Sequence, residues 1–265
     1  MNINKLINEV NNKPQLTFKQ MVDSPLVRKR FEDVLNDKAP SFLANLVQVA
    51  NSDLIGVEPN SIFSGALISA SLDLPLNKSL GFAYLIKYGQ QAQFQLGYKG
   101  LVQLAQRSGQ YKRLNVIEIY EGELISYNRL TEELEIDFKN KKSNEIEGYI
   151  AYFKLINGFE KTVYWSKEEV EEHARKYSKT YNFKNGVWKL NFNAMAKKTV
   201  LKNMLSKWGI LSIELQKAIQ TDQAVINKGI DDTTELTEED LNYIDNGECN
   251  DGKNNEIEVN IETIE

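Results

Sequence analysis

Asn157-Gly158, set between two runs of alternating apolar residues (146–156 and 159–165), is the feature that most narrows the fold. Alternation at period two places the apolar side chains on one face of a strand, and Asn-Gly favours the left-handed backbone of a type I′ turn. The chain is therefore committed here to an antiparallel hairpin. Ser166-Lys167-Glu168-Glu169 follows at once, a capping box that opens a helix through about Tyr177. Further strand-like runs lie at 81–88 and 92–96, with Gly89 as a turn between them, and at 114–120, 124–127 and 134–138.

Helical patterns flank this block. Pro40-Ser41 opens a helix with Leu43, Leu46, Val47 and Ala50 on one face, and another starts near Pro59 with Ile62, Ala66 and Ala70 in register. Residues 1–38 carry one or two helices. A long helix is expected from Trp188 to Lys207 and a last one from Ser212 to Asn227, with Gly229 as its stop. Helices, a block of strands, then helices again indicate an α+β fold with an antiparallel sheet. The expected organisation is a helical segment over 1–38, open to a role in oligomerisation, a core over 39–222, and an acidic, disordered tail over 223–265.

Charge is divided unevenly. From Asp222 to Glu265 there are 14 acidic residues against Lys228 and Lys253, a balance of −12. Residues 1–221 hold 30 Lys and Arg against 23 Asp and Glu, a balance of +7, so the overall −5 conceals a basic body and an acidic tail. The tail competes with nucleic acid for the basic face, binds partners, or serves solubility. No apolar run approaches the roughly 20 residues that span a bilayer, and the polar N-terminus lacks a signal-peptide core, so a soluble cytoplasmic protein is expected. The single cysteine, Cys249, excludes a disulfide or zinc framework within one chain. No metal or cofactor is expected.

The densest functional signal runs over 97–113. Lys99, Arg107, Lys112 and Arg113 occur there without an acid, beside Tyr98 and Tyr111, with Gly97, Gly100 and Gly109 around a short apolar-periodic helix. Cations suit phosphates, aromatics suit base faces, and glycines let backbones approach closely. An ordinary surface helix with Leu101, Leu104 and Ala105 inward is the alternative. A second segment interleaves Lys179, Tyr181, Phe183, Lys184 and Trp188, leading into a helix where Lys198 and Lys202 share one face and Lys197 points elsewhere. Trp188 either stacks on bases or packs the loop onto the body. A groove lined by Lys198, Lys202, Arg107, Lys112 and Arg113 would hold a phosphate backbone.

Several segments, in order, carry a resemblance. They are Ser71-Leu72-Asp73-Leu74-Pro75-Leu76-Asn77-Lys78 with Gly81-Phe82-Ala83-Tyr84-Leu85-Ile86, the 97–109 block, and Tyr120-Glu121-Gly122-Glu123. To these add Trp188 with Met195-Ala196-Lys197-Lys198-Thr199, and Ser212-Ile213-Glu214-Leu215-Gln216 with Ala218. Over about 39–222 the chain resembles the RecT/Redβ family of phage single-strand annealing proteins. The resemblance implies an ATP-independent recombinase that coats single-stranded DNA and pairs it with its complement through a duplex annealing intermediate. It also implies a homo-oligomer (ring or helical filament) and a sheet framed by helices around a basic groove, as in Rad-type annealing proteins. The implied partners are a phage exonuclease (RecE-like) and the host single-strand-binding protein. By position, Lys99, Arg107, Lys197 and Lys198 carry over as backbone contacts. Lys87 departs from the family, where that strand often continues with proline.

Other readings are weaker. No Gly-x-x-x-x-Gly-Lys-Ser/Thr cradle occurs, so nucleotide-driven recombination has no phosphate loop. His173, among Glu169, Glu171 and Glu172, reads as a solvated residue. Glu123 with Asp137-Phe138-Lys139 loosely imitates a metal-dependent nuclease, but charged hairpin edges also serve to block aggregation. An adaptor for an acidic partner would explain the charge and leave the loop aromatics and the family segments without a role.

Overall fold

The structure, a computed structural model, describes residues 16–182, 186–229 and 236–243. Four helices come first: α1 (Phe18–Val22), α2 (Pro25–Leu35), α3 (Ala39–Ser52) and α4 (Pro59–Ser71). Thr17 and Gln20 form a capping box at α1, and Ser24 caps α2 ahead of Pro25, whose missing N–H costs nothing at a first helical position. Phe31 stacks on Phe42 with centroids 5.7 Å apart, and Phe18 on Phe63 at 4.9 Å, joining the four into one layer. The expected helices at Pro40 and Pro59 form as read.

Strands β1 (Ala83–Tyr88) and β2 (Gln91–Leu96) then pair antiparallel, followed by α5 (Tyr98–Arg107). Next come β3 (Tyr111–Tyr120), the small pair β4 (Leu124–Tyr127) and β5 (Leu134–Ile136), and the hairpin β6 (Ile146–Leu155) and β7 (Glu160–Ser166). The second sheet has the order β3-β6-β7, so β3 and β7 are its edges. The hairpin stands where the alternation put it, but its turn is different. Gly158 N–H donates to the Leu155 carbonyl at 3.2 Å, and only Gly158 of the pair has positive φ, +95°. This is a type I turn followed by a left-handed glycine, the usual three-residue loop, in place of type I′. The Asn157 side chain accepts the Phe159 N–H at 3.0 Å and fixes that choice.

The final helices are α6 (Lys167–Tyr177), α7 (Val187–Leu190), α8 (Phe192–Trp208) and α9 (Ile213–Thr221). The long helix expected from Trp188 is broken at Asn191, whose φ of −141° leaves the helical region and turns α7 against α8. Helix α9 stops at Thr221, six residues before the expected end. Asp222 turns inward, Gln223 takes φ +71°, and strands β8 (Val225–Ile226) and β9 (Leu241–Asn242) complete a sheet of order β1-β2-β8-β9. The expectation of a disordered tail from 223 is therefore corrected for 223–229 and 236–243. Lys228 sits 3.8 Å from Asp240, and the Tyr243 hydroxyl donates to the Gln220 carbonyl. The rest of the tail, Cys249 included, lies outside the described residues. Antiparallel sheets with helices packed on them make this the α+β architecture that the order of elements implied.

Candidate nucleic-acid interface

Of the glycines of the 97–113 segment, Gly97 and Gly100 serve packing, while Gly109, with φ +68° and open space around it, serves the turn after the helix. A Cβ on Gly97 would lie 2.1 Å from the Gly81 carbonyl oxygen, and one on Gly100 would lie 2.2 Å from that of Phe82. Gly97 N–H donates to that same Phe82 oxygen at 2.8 Å. Helix α5 is thus seated backbone to backbone on the turn before β1, with Leu101, Leu104 and Ala105 buried and Lys99 exposed. Arg107, at the other end, folds back to donate to the carbonyls of Leu72 at 2.7 Å and Asp73 at 2.9 Å. Asp73 also binds Lys38 at 2.7 Å, so the guanidinium helps hold a strained turn where Asp73 has φ +49°.

Helix α8 lies across the inner face of β3-β6-β7 and separates the consecutive lysines. Lys197 points to β3 and binds Glu118 at 2.7 Å, beside Tyr98. Burial raises the Glu118 carboxyl, but the Lys197 hydrogen bond and charge outweigh it and hold the group below its ordinary value. Lys198 points the other way and is 8% exposed. Its ammonium lies 3.5 Å from Asp222, which binds Lys202 at 2.7 Å and accepts the Leu96 N–H at 2.8 Å. Burial drives Lys198 toward its neutral form more than Asp222 restores it. Burial also opposes ionisation of Asp222, yet the two ammoniums and the Leu96 N–H prevail and keep it a carboxylate. The acidic partners Glu118 and Asp222 were missed from sequence, because neither stands near its lysines along the chain.

A crevice of about 220 Å³ opens between α6 and α8 with this triad as its floor. Trp188 forms part of its wall. Its ring packs edge-on to Tyr181 at 6.2 Å and against Phe192 at 5.6 Å, and Trp188 and Tyr181 are 5% and 9% exposed. Of the two roles open to Trp188, packing the loop onto the body is the one realised. His173 also lines the crevice and corrects the expectation of a solvated side chain. It is wedged between Trp165 at 5.2 Å and Tyr177 at 4.5 Å. Burial, with Lys202, Lys176 and Lys207 nearby, pushes its pKa down to about 4.

The remaining cations lie elsewhere. Lys112 and Arg113 are exposed at the start of edge strand β3. Glu118 faces α8, so Arg113, five residues earlier in the same ladder, projects from the opposite face, towards Tyr152 and Glu160. Lys87, exposed on β1, donates to the Ile55 carbonyl. Phe183 and Lys184, and the Lys179 side chain, lie outside the described residues. The residues expected to line one groove are therefore distributed. Lys197 and Tyr98 meet at β3, Lys198 and Lys202 share the crevice, Arg107 clamps a turn, Arg113 projects from the other face of the sheet, and Lys112 is exposed at the irregularity beside it.

The strands β4 and β5 do bring the nuclease pair together, Asp137 N–H donating to the Glu123 carbonyl at 2.9 Å, but the two carboxylates are used locally. Glu123, 5% exposed, accepts the Tyr120 N–H at 2.9 Å, and Asp137 accepts the Lys139 N–H at 2.9 Å, each carboxylate capping its own turn. Among the described residues there is no group of three or more His, Cys, Asp or Glu able to hold a metal ion, and no helix long and apolar enough to cross a membrane.

Fold and site together define a mixed α+β protein whose candidate cations are spread over sheet edge, helix and crevice. Comparison with known proteins gives that class a name. The chain belongs to the RecT family, whose model matches residues 40–238. It is 54% identical over 205 residues to the uncharacterized protein YqaK of Bacillus subtilis (strain 168), covering 77% of this chain and 71% of that one. It is 30% identical over 171 residues to Protein RecT of Escherichia coli (strain K12), covering 61% and 62%. The resemblance read from the segments is borne out, and with it a place among the phage-type recombination and single-strand annealing proteins.

Proposed function

We propose that the chain binds single-stranded DNA and promotes annealing of complementary strands without ATP. The observation that carries this reading is the family match over 40–238, which takes in α5, the Lys197-Lys198 helix and Asp222 together. The physics asks for no bond chemistry. Annealing is limited by repulsion between two polyanions, and exposed cations such as Lys99, Lys112 and Arg113 lower that barrier while leaving base edges free to test pairing. Contacts to phosphate carry no sequence information, so any complementary pair is a substrate. Repetition of the protomer in a ring or helical filament would align many bases at once, with the N-terminal helices that precede the family match serving assembly. On the same reading it acts in the cytoplasm beside a RecE-like exonuclease and the host single-strand-binding protein.

The test mixes complementary oligonucleotides with the protein in the absence of nucleotide and follows duplex formation and strand length. Annealing that survives chelation of divalent ions, with affinity falling steeply as salt rises, is the expected result. Failure to retain single strands at low salt, or magnesium-dependent shortening of the strands, overturns it.

A further inference from the structure

We propose that the crevice between α6 and α8 is a phosphate subsite in which Asp222 occupies, as an internal counterion, part of the place an incoming phosphate takes. The inference rests on the reading above only for its DNA arm. Three observations carry it. Lys198 and Lys202 face a single carboxylate, so two basic side chains share one acidic partner at the floor. Each ammonium has three N–H donors, and Lys198 meets Asp222 only at 3.5 Å, which leaves donor capacity in a buried place where it is costly to waste. The walls add the hydroxyls of Thr199 and Ser206 and the amides of Asn203 and Gln223, all groups that bind phosphate oxygens.

The exchange is favourable because it is partial. Asp222 keeps Lys198 and the Leu96 N–H when Lys202, whose side chain is 27% exposed, turns to the phosphate. The buried carboxylate is then never left unpaired, the situation that makes broken internal ion pairs expensive. Its charge opposes the phosphate throughout, which weakens each contact and lets a strand be released. A cavity of about 220 Å³ is below the size of ordinary drug-sized pockets and admits one phosphate group with its immediate neighbours, not a base pair.

Two sources can supply the group, a DNA phosphodiester or free phosphate, and two arms separate them. The first compares binding of a thymidine oligonucleotide across salt concentrations by wild type, Lys202→Gln, Lys202→Arg and Asp222→Asn. Loss of one phosphate contact in Lys202→Gln lowers the slope of log affinity against log salt by about 0.7, and Lys202→Arg preserves it. Asp222→Asn binds the oligonucleotide several-fold more tightly although its fold is weakened. A merely structural triad would weaken binding in both variants. The second arm measures the rise in Tm on adding inorganic phosphate, expected in wild type and lost in Lys202→Gln. A changed DNA slope assigns the site to the backbone. An unchanged slope with a lost phosphate-induced rise assigns it to free phosphate. No change in either arm overturns the proposal. Should wild type bind no oligonucleotide, the annealing reading fails and the phosphate arm alone decides this one.

Discussion

Gly100→Ala reverses the sign that helix propensity assigns to it. In the middle of an exposed helix the change would stabilise by about 1 kcal/mol. Here the new methyl carbon would lie 2.2 Å from the Phe82 carbonyl oxygen and 3.0 Å from Leu96 Cδ1. Restoring an ordinary non-bonded separation of about 3.5 Å needs more than an ångström of movement between α5 and the backbone under it. That shift stretches the 2.8 Å bond from Gly97 N–H to the same oxygen. Overpacking costs about 1–3 kcal/mol and a weakened hydrogen bond about 0.5–1.5 kcal/mol. Less the propensity gain of about 1 kcal/mol, the net loss is about 2 kcal/mol, or a Tm lower by about 4–8 °C. The assay is thermal unfolding of Gly100→Ala beside Gln106→Ala, an exposed position on the same helix where the change is neutral or slightly stabilising. A Gly100→Ala protein as stable as wild type but poor at holding single strands would refute the reasoning, because the glycine would then be serving a ligand and not the seat of α5.

Three more outcomes follow from the same geometry. His173, with a folded pKa of about 4, resists protonation, so it contributes stability in full above the unfolded value near 6.5 and loses it as pH falls toward 4. In His173→Phe the unfolding free energy should decline less between neutral pH and about pH 4.5, by about 1–2 kcal/mol once solvent screening is allowed for, and parallel curves would contradict this. Lys112→Gln with Arg113→Gln, both exposed on an edge strand, should leave the denaturant midpoint nearly unchanged and reduce the salt slope of single-strand binding by about 1.4; an unaltered slope removes this face from the interface. Trp188→Ala removes a ring packed on Tyr181 and Phe192 and should cost about 3–5 kcal/mol in urea unfolding, whereas lost DNA binding at full stability would restore the stacking role.

Much of the local structure was legible because its causes are local. The Asn157-Gly158 hairpin, the Ser166–Glu169 capping box, the starts of α3 and α4 at their prolines and the apolar face of α5 all depend on residues within a few positions of one another. The turn type was not legible, since Asn-Gly serves both type I′ and the type I turn with a left-handed glycine, and the strand ends choose between them. The end of α9 was hidden for a longer-range reason. Helical periodicity runs on past Thr221, but Lys198 and Lys202 of α8 and the Leu96 N–H draw Asp222 inward, and the chain turns to pair with β2.

The chain by itself determined its kind: the family segments lie in order along it, the basic body and acidic tail are a matter of counting, and alternation against helical period sorts strands from helices. Only the tertiary structure decided what the individual side chains do. It set Lys197 and Lys198 on opposite sides of one helix, gave each a carboxylate from a different part of the chain, buried Trp188, wedged a half-buried His173 between two rings, and put Arg113 on the far face from α8. Periodicity assigns a residue to a face of its own element, but which element covers that face, and with what charge, is settled by contacts between residues far apart in sequence.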